Sequence, residues 1–330
     1  MIISQTPLRI SFVGGGSDLE KYWKDSPGKV VSATIDKYIY AIVKGRFDDK
    51  IYLNYSKKEI IDSVTEIEHD LIRESMKKVG IENGVEITTL ADIPSEGSGL
   101  GSSSSVIVGL LNALYAYKGI QVTSKKLAEE ACDIEINILG KPIGKQDQYA
   151  AAYGGLNIFT FNTDGSVKRE NIKLNSGQMR NFGSSLQLFY TGINRASSSI
   201  LFDQQKNTEK NRENLNKMVE LADEFKDNLN SWASFHKIGE LLDINWQQKK
   251  KLSTKISNAL INQLYSKAIN NGAIGGKVSG AGGGGFLLLF VPRQNQNSVR
   301  VALDNYREFP FMLEPDGSKI VFNIKREYWR

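Results

Sequence analysis

Three stretches in the first hundred residues have the pattern of β-strands. Residues 8–13 form an apolar run that ends at three glycines, residues 38–47 alternate apolar and polar positions, and residues 84–94 lead into a serine-rich loop. Short runs of this kind, bounded by glycine and other turn residues, are typical of strands. We therefore expect a sheet in the N-terminal part of the chain.

A helix is predicted directly after the stretch "EGSGLGSSSS". Apolar residues recur at helical spacing from Val106 to Leu114, and Gly119 lies where a C-terminal cap is expected. The serines therefore belong to the first turn of a helix rather than to a flexible linker. Because free backbone N–H groups at a helix N-terminus bind anions, this turn is a candidate anion site.

A second helix is predicted from about residue 124. Its apolar stripe has Glu135 at one edge and consists of Leu127, Ala131, Ile134 and Ile138. A loop, a segment of small residues and another strand follow, ending near Phe161.

The C-terminal half combines strands with polar amphipathic helices. It begins with a strand pattern, "SSLQLFYTG", and later gives a strand, a glycine loop and a second strand in residues 271–291. A helix to about Arg307 and a last strand near Ile320 complete the pattern. Between these strands, apolar residues at heptad spacing favour a seam that faces the core over a coiled coil: Leu215, Met218, Ala222, Phe225 and Leu229.

Length and composition indicate a packed protein of two domains. A chain of 330 residues is too long for one compact core, and we place the division between residues 1–180 and 181–330. Apolar residues make up 40% and charged residues 24%, which excludes a disordered or fibrous class. The 42 basic and 37 acidic residues give a mild positive excess without a long basic run, so nucleic acid is not an expected partner.

The rare residue types exclude other classes. One cysteine, Cys132, cannot form an internal disulfide, and with His69 and His236 as the two histidines a zinc cluster is not expected. The first residues lack the pattern of a signal peptide and the apolar run from Phe286 is too short to span a bilayer, so we expect a cytoplasmic protein without a membrane partner.

Common nucleotide-binding motifs do not fit the glycine-rich loops. Residues 280–285 match G-x-G-x-x-G, but a strand follows them where the dinucleotide motif needs a helix. The loop before residue 102 has no lysine, so it is not a P-loop. A nucleophile elbow is also missing, which argues against a serine hydrolase.

Three glycine-rich segments remain: "PLRISFVGGGSD", "PSEGSGLGSSSS" and "GGKVSGAGGGGF". In order and type they resemble the three motifs of the GHMP kinases, a family that includes galactokinase, homoserine kinase and mevalonate kinase. The resemblance implies an α+β protein with the GHMP kinase fold, which has an N-terminal domain of the ribosomal protein S5 domain 2-like type and a C-terminal ferredoxin-like domain. It also implies ATP and Mg²⁺ as cofactors and a reaction site between the two domains.

The resemblance assigns ATP binding to the central loop. Ser103 and Glu135 would hold Mg²⁺, although Glu135 lies one residue farther from the "GKQD" segment than in mevalonate kinases. The alternatives are a helix cap for the serines and a solvated glutamate for Glu135. The ATP-binding residues that the resemblance implies are Gly97, Gly99, Leu100, Gly101, Ser102, Ser103 and Ser104.

The resemblance makes Asp147 the catalytic base and Arg9 its basic partner. Asp18 would accept hydrogen bonds from sugar hydroxyls, or alternatively cap a helix. Arg195, at a predicted junction of strand and helix, would help to hold a phosphate of the substrate, or would be a surface arginine. The substrate-binding residues predicted in this way are Gly15, Gly16, Ser17, Asp18, Arg195, Gly280, Gly282 and Gly283, and the alternative for the last three is a tight connection between strands.

Within the family, the first motif looks most like that of kinases acting on D-glycero-D-manno-heptose 7-phosphate. Galactokinases carry Glu-His where this chain has Gly15-Gly16. The expected reaction is phosphorylation of the anomeric hydroxyl of that sugar phosphate to the 1,7-bisphosphate. The alternatives are a fucokinase or galactokinase-like enzyme and, in a different class, a non-catalytic ATP or sugar sensor. A homodimer is compatible with this family.

Overall fold

The computed structural model describes residues 1–93, 97–193, 197–232 and 234–324. The strands are β1 (Ile2–Val13), β2 (Gly28–Gly45), β3 (Ile51–Asn54), β4 (Lys58–Ile61), β5 (Val85–Ala91), β6 (Leu156–Phe161), β7 (Val167–Asn171), β8 (Leu186–Tyr190), β9 (Gly275–Val278), β10 (Phe286–Phe290) and β11 (Lys319–Asn323). The helices are α1 (Glu20–Trp23), α2 (Asp70–Val79), α3 (Ser102–Lys118), α4 (Ser124–Cys132), α5 (Gln146–Tyr153), α6 (Ser176–Ser184), α7 (Ser197–Lys206), α8 (Arg212–Ser231), α9 (Phe235–Lys251), α10 (Ala259–Asn270) and α11 (Gln296–Ala302).

The larger sheet has eight strands and is organised by the long strand β2. One edge of β2 pairs antiparallel with β1, while its opposite edge pairs with β6 near the start of β2 and with β5 near its end. The strand order along the main path is β11-β1-β2-β5-β3-β4, and β7 extends the sheet beyond β6. Strand β1 lies between β11 and β2 in this order, so the backbone that leads to its C-terminal end is held in a fixed position.

Helices α2 to α5 lie against one face of this sheet. The stripe predicted for α3 is buried, with Leu110, Leu111 and Leu114 inaccessible to solvent. Gly119 ends α3 in the left-handed conformation with φ of +77°, as the sequence predicts. Most residues of α3 from Ile107 to Tyr115 are buried, and this burial supplies hydrophobic free energy that holds the helix in place.

The smaller sheet is antiparallel with the order β8-β10-β9. A bridge between Phe189 and Glu308 adds a fourth segment beside β8. Together with α8 and α9 before β9, and α11 after β10, this gives the β-α-β-β-α-β arrangement of a ferredoxin-like unit. All five heptad-spaced residues of α8 are buried, which confirms the core-facing seam.

One hydrophobic cluster contains residues of both sheets. The ring of Phe12 at the end of β1 lies 5.2 Å from the ring of Phe182 and 5.5 Å from that of Phe225. In addition, β11 leaves the second half of the chain and pairs with β1. The expected α+β fold is confirmed, whereas the division at residue 180 stays a prediction, with β11 lying in the first sheet.

Two details differ from the pattern. The helix expected to reach Arg307 ends at Ala302. Ile138, assigned to the apolar stripe of the second helix, is 51% exposed, while its neighbour in the pattern, Glu135, is fully buried. The reason is a π-helical turn at Asp133–Ile138, which has more residues per turn than an α-helix and therefore rotates the following side chains.

Candidate active site

The second and third glycine-rich loops contact each other backbone to backbone. Gly99 has φ of +72°, and a Cβ atom there would lie 2.5 Å from the carbonyl oxygen of Ser279. On the other side, a Cβ on Gly280 would lie 2.8 Å from the Cα of Gly99. Both positions therefore require glycine, because any side chain would force the loops apart.

A cleft of about 690 Å³ runs beside these loops. Its size is within the range of small-molecule sites. The predicted site residues that line it come from all three glycine-rich segments and from the helices that follow: Arg9, Gly16, Asp18, Gly97, Gly99, Gly101, Ser102, Ser103, Ser104, Glu135, Asp147, Gly280 and Gly282.

The N-terminus of α3 opens on this cleft without a side-chain cap. The capping position is Gly101, with φ of +78°, and it has no side chain to accept from the first-turn amides. The serine hydroxyls also have other partners, since Ser103 and Ser104 donate to Glu135 and Ser105 donates to the carbonyl of Pro7. These hydroxyls therefore do not cap the helix, in contrast to the alternative interpretation of the serines.

Glu135 projects from the π-helical turn toward the start of α3. Its carboxylate accepts hydrogen bonds from Ser103 Oγ at 2.5 Å, Ser104 Oγ at 2.7 Å and Gln148 Nε2 at 2.7 Å. The side chain is fully buried, so a solvated surface glutamate is excluded. Lys141 Nζ lies 3.7 Å from the same carboxylate and lines the cleft.

This donor set fits Mg²⁺ bound together with phosphate. Mg²⁺ prefers oxygen ligands and is usually held by one or two carboxylates, with water and substrate phosphates completing its shell. Glu135 and Ser103 supply one carboxylate and one hydroxyl beside the open end of α3. Within the described ranges there is no group of three or more acidic, histidine or cysteine residues that could hold a metal alone.

Asp147 and Arg9 form a bidentate ion pair at the centre of the cleft. Arg9 Nε and Nη2 donate to the two carboxylate oxygens of Asp147 at 2.7 and 2.6 Å, and Nη1 donates to the carbonyl of Gly99 at 2.6 Å. Arg9 is buried, while the Asp147 side chain is 24% exposed. Two parallel charge-assisted hydrogen bonds fix the orientation of the carboxylate and leave part of it open to the cleft.

Asp18 also lines the cleft, and its buried carboxylate contacts the first glycine loop. The N–H of Gly16 donates to its Oδ1 at 2.9 Å, and Leu19 rather than Asp18 caps α1. Burial, opposed in part by the Gly16 hydrogen bond and aided by the negative charge of Asp147, raises the pKa of Asp18 above its ordinary value.

Some predicted residues lie behind the cleft wall instead of lining it. Leu100 is fully buried, and the hydroxyl of Ser17 donates to the carbonyls of Gly14 and Lys29. Gly15 and Gly283 are also outside the lining, so a binding role for these four residues stays a prediction. Arg195 lies outside the described residues.

Sequence reasoning missed Lys249, which lines the cleft from α9. It is 3% exposed, and its ammonium donates to the carbonyl of Gly15 and to Gln204 Oε1, both at 3.0 Å. Burial lowers its pKa to about 8, against the opposing effect of Asp18. The signal was present, because Leu242, Trp246 and Lys249 continue one helical stripe, but a lysine there is usually solvated.

Comparison with known protein families supports the motif-based interpretation. The model of the GHMP kinase N-terminal domain matches residues 68–155, and that of the GHMP kinase C-terminal domain matches residues 226–308. A D-glycero-alpha-D-manno-heptose 7-phosphate kinase from Campylobacter jejuni is 32% identical over 319 residues, which cover 91% of this chain and 92% of that protein. The chain belongs to the GHMP kinase family. It is therefore an ATP-dependent phosphotransferase by family.

Solved structures agree with this GHMP kinase assignment. A D-glycero-D-manno-heptose 1-phosphate kinase from Bacteroides thetaiotaomicron superimposes with a TM-score of 0.82 at 27% identity, covering 99% of this chain and all of that one. Streptococcus pneumoniae phosphomevalonate kinase gives a TM-score of 0.78 at 18% identity over 95% of this chain and all of that one, which shows the shared fold. No described helix of this GHMP kinase is long and apolar enough to cross a membrane.

Proposed function

We propose that this GHMP kinase transfers the γ-phosphoryl group of ATP to a hydroxyl of a heptose phosphate. The observation that carries the proposal is the position of the Arg9–Asp147 pair. It lies in one cleft with the open N-terminus of α3 and Glu135, as well as with Asp18 and the first glycine loop. A phosphate donor and a hydroxyl acceptor can therefore meet at one carboxylate.

The donor end would hold ATP with Mg²⁺. The N–H groups of the first turn of α3 suit phosphate oxygens, and Lys141 adds a cation beside them. Ser103 and Glu135 would hold the metal ion, which when bound neutralises charge on the phosphate oxygens. ATP and Mg²⁺ as cofactors, and the residues named for them, are part of the proposal.

Asp147 would act as the proton acceptor. As the acceptor hydroxyl attacks the γ-phosphorus, a new P–O bond forms, the bond to the ADP oxygen breaks and the hydroxyl proton passes to the Asp147 carboxylate. Arg9 holds that carboxylate by two hydrogen bonds, which fix its orientation in the cleft. Positioning of this kind accounts for much of the rate of phosphoryl transfer.

The acceptor we propose is D-glycero-D-manno-heptose 7-phosphate, phosphorylated at its anomeric hydroxyl to give the 1,7-bisphosphate. The two similar heptose kinases support a heptose phosphate as acceptor, but their names differ in the position of the phosphate, the 7-phosphate for one and the 1-phosphate for the other. Gly15 and Gly16, which replace the Glu-His of galactokinases, disfavour a galactokinase-like enzyme. A non-catalytic sensor would not need the intact pair of Arg9 and Asp147. We place the reaction in the cytoplasm, where ATP is available.

The direct test is an assay of ATP consumption against heptose 7-phosphate, heptose 1-phosphate, fucose and galactose, with the products identified by ³¹P NMR. We expect the highest kcat/KM with the 7-phosphate and a new anomeric phosphate signal. A preference for fucose or galactose over every sugar phosphate would contradict the proposed acceptor, and ATP binding without transfer to any sugar would favour the sensor.

A further inference from the structure

Lys249 is a buried cation that the proposed chemistry does not use. Its ammonium has three N–H bonds, of which two are occupied by the carbonyl of Gly15 and by Gln204 Oε1. Although Lys249 is buried, with 3% of it exposed, no carboxylate in the described part of the chain forms an ion pair with its ammonium. An unpaired buried ammonium is costly in a protein that does not use it.

One peptide group joins Lys249 to Asp18. The carbonyl oxygen of Gly15 accepts from Lys249, and the N–H of the same peptide, on Gly16, donates to Asp18 Oδ1. In a trans peptide these two atoms point in opposite directions, so the ammonium and the carboxylate lie at opposite ends of this peptide group, and both line the cleft. The peptide dipole interacts favourably with a cation at its carbonyl end and with an anion at its N–H end. One peptide group therefore stabilises both charges and separates them.

The same region of the cleft contains an acceptor without a donor. Gln146 lines the cleft, its N–H faces Asp18 Oδ2 at 3.5 Å, and its buried side-chain Oε1 has no hydrogen-bond partner in the described structure. A buried polar atom without a partner is rare in native proteins and is satisfied by water or a ligand. Beside Asp18, therefore, the cleft offers a donor in Lys249 and an acceptor in Gln146.

We propose that Lys249 is a specificity-determining residue, which donates its third hydrogen bond to a hydroxyl of the acceptor sugar while Asp18 accepts from a neighbouring hydroxyl. This inference rests on the proposed function, because it takes the Asp18 side of the cleft as the acceptor side. Ligands of this class carry two hydroxyls on adjacent carbons, one oriented to accept and one to donate. Gln204, on α7, is a positioning residue that sets the direction of the ammonium.

The pair also connects the two halves of the chain. Lys249 and Gln204 belong to α9 and α7, whereas Gly15 and Asp18 follow β1. Acceptor binding at Lys249 would therefore depend on how α7 and α9 sit against the first sheet. At the phosphate end, by contrast, α3 and Glu135 both belong to the first half of the chain.

The test compares Lys249→Met with Lys251→Met, which removes an exposed lysine from the same helix. Initial rates are measured with heptose 7-phosphate at saturating ATP, and with ATP at saturating acceptor. We expect Lys249→Met to raise the KM of the acceptor about ten- to hundredfold, the loss of one charge-assisted hydrogen bond, with the KM of ATP unchanged. Lys251→Met should leave both constants unchanged.

Mono-deoxy analogues of the acceptor give a readout that a structural role would not move. In the wild-type protein, removal of the hydroxyl that Lys249 contacts should raise KM, and the same removal should have no further effect in Lys249→Met. If the two losses add for every deoxy position, or if Lys249→Met keeps the parent acceptor KM, the role of Lys249 is overturned.

Gln204→Glu covers the case in which Lys249→Met does not fold. A carboxylate in place of the carboxamide would pair with the ammonium and draw it from the acceptor, so we expect a raised acceptor KM with an unchanged KM for ATP. An unchanged acceptor KM would contradict the proposal. Failure of the wild-type protein to phosphorylate any sugar would contradict the proposed function instead, and the two outcomes are separable.

Discussion

The two ends of the cleft are built differently. The phosphate end consists of α3, the π-helical turn with Glu135 and Lys141, all from a single stretch of about forty residues. The acceptor end combines the first glycine loop with Lys249 and Gln204, which are more than 180 residues farther along the chain. The chemistry of the first end is local in sequence, whereas that of the second depends on how the two sheets pack.

From this difference we expect changes at the acceptor end to leave the phosphate end in place. A loop and a helix N-terminus that bind phosphate can be kept while distant helices change. Substitutions in α7 and α9 would alter the acceptor without disturbing ATP. The contrast can be tested by variants that affect both ends, one end, or the contact between them.

The largest effect is expected at Asp147, where the two ends meet. Asp147→Asn keeps the shape of the side chain but removes the proton acceptor, so kcat should fall by on the order of a hundredfold to ten-thousandfold. ATP-analogue binding, measured by calorimetry, should stay close to the parent value. The matched control is Asp223→Asn, which breaks a surface ion pair with Lys29 and should not change kcat. A kcat within about twofold of the parent would exclude Asp147 as the base.

Glu135→Gln tests the phosphate end alone. The substitution keeps a hydrogen-bonding group for Ser103 and Ser104 but removes the charge offered to Mg²⁺, so the Mg²⁺ concentration for half-maximal rate should rise about ten- to hundredfold. The KM of the acceptor should not change at saturating Mg²⁺.

The control for this variant is Asp133→Asn, in the same π-helical turn. Asp133 pairs with Lys78 on the surface and faces away from the cleft lining. If both variants keep the parent Mg²⁺ dependence, Glu135 is a structural partner of the serines and not a metal ligand.

The pH dependence should separate the two ends. Burial lowers the pKa of Lys249 to about 8, and the charged groups facing it are Asp18, Arg9 and Lys277. The ammonium is therefore present below about pH 8 and lost above it, so the KM of the acceptor should rise by up to about tenfold per pH unit above that value.

At low pH the acceptor affinity should depend on the protonation of Asp18. Because its pKa is raised, Asp18 becomes protonated at a higher pH than an ordinary aspartate, and acceptor affinity should fall on the acid side as well. The KM of ATP should be flat across the alkaline range. A Lys249→Met variant that still shows the alkaline rise would assign it to another group.

The smallest effect is expected where the loops touch. Gly99→Ala places a Cβ 2.5 Å from the Ser279 carbonyl oxygen, whereas Gly80→Ala has the same φ of +72° and nothing within 4 Å. Both variants suffer the strain of the left-handed conformation, so their difference measures the contact itself. We expect Gly99→Ala to lower the free energy of unfolding in urea by about 1 kcal/mol more than Gly80→Ala. Equal losses would show that the loops can separate without cost.

The sequence was sufficient for features that depend on near neighbours. The strand before Gly14, the start of α3 at Ser102 and the strand-loop-strand of β9 and β10 follow from local patterns, and the structure confirms them. The resemblance of the motifs predicted Arg9, Asp147 and Glu135 in one site, and all three line the cleft, while their roles stay predictions. The exposure of Ile138 could not be predicted, because a π-helical turn has no simple periodic signature. Lys249 was missed because its burial depends on contacts with a loop more than 200 residues away.

The pairing of β11 with β1 has a consequence for how the protein folds. This pairing joins the two ends of the described chain across more than 300 residues, and the aromatic contacts of Phe12 add a second long-range connection. Contacts so distant in sequence form late, and the two halves should therefore unfold in one cooperative transition. A fragment of residues 1–180 would expose the hydrogen-bonding edge of β1, and such edges promote self-association. The fragment should aggregate unless a peptide carrying β11 is supplied in trans.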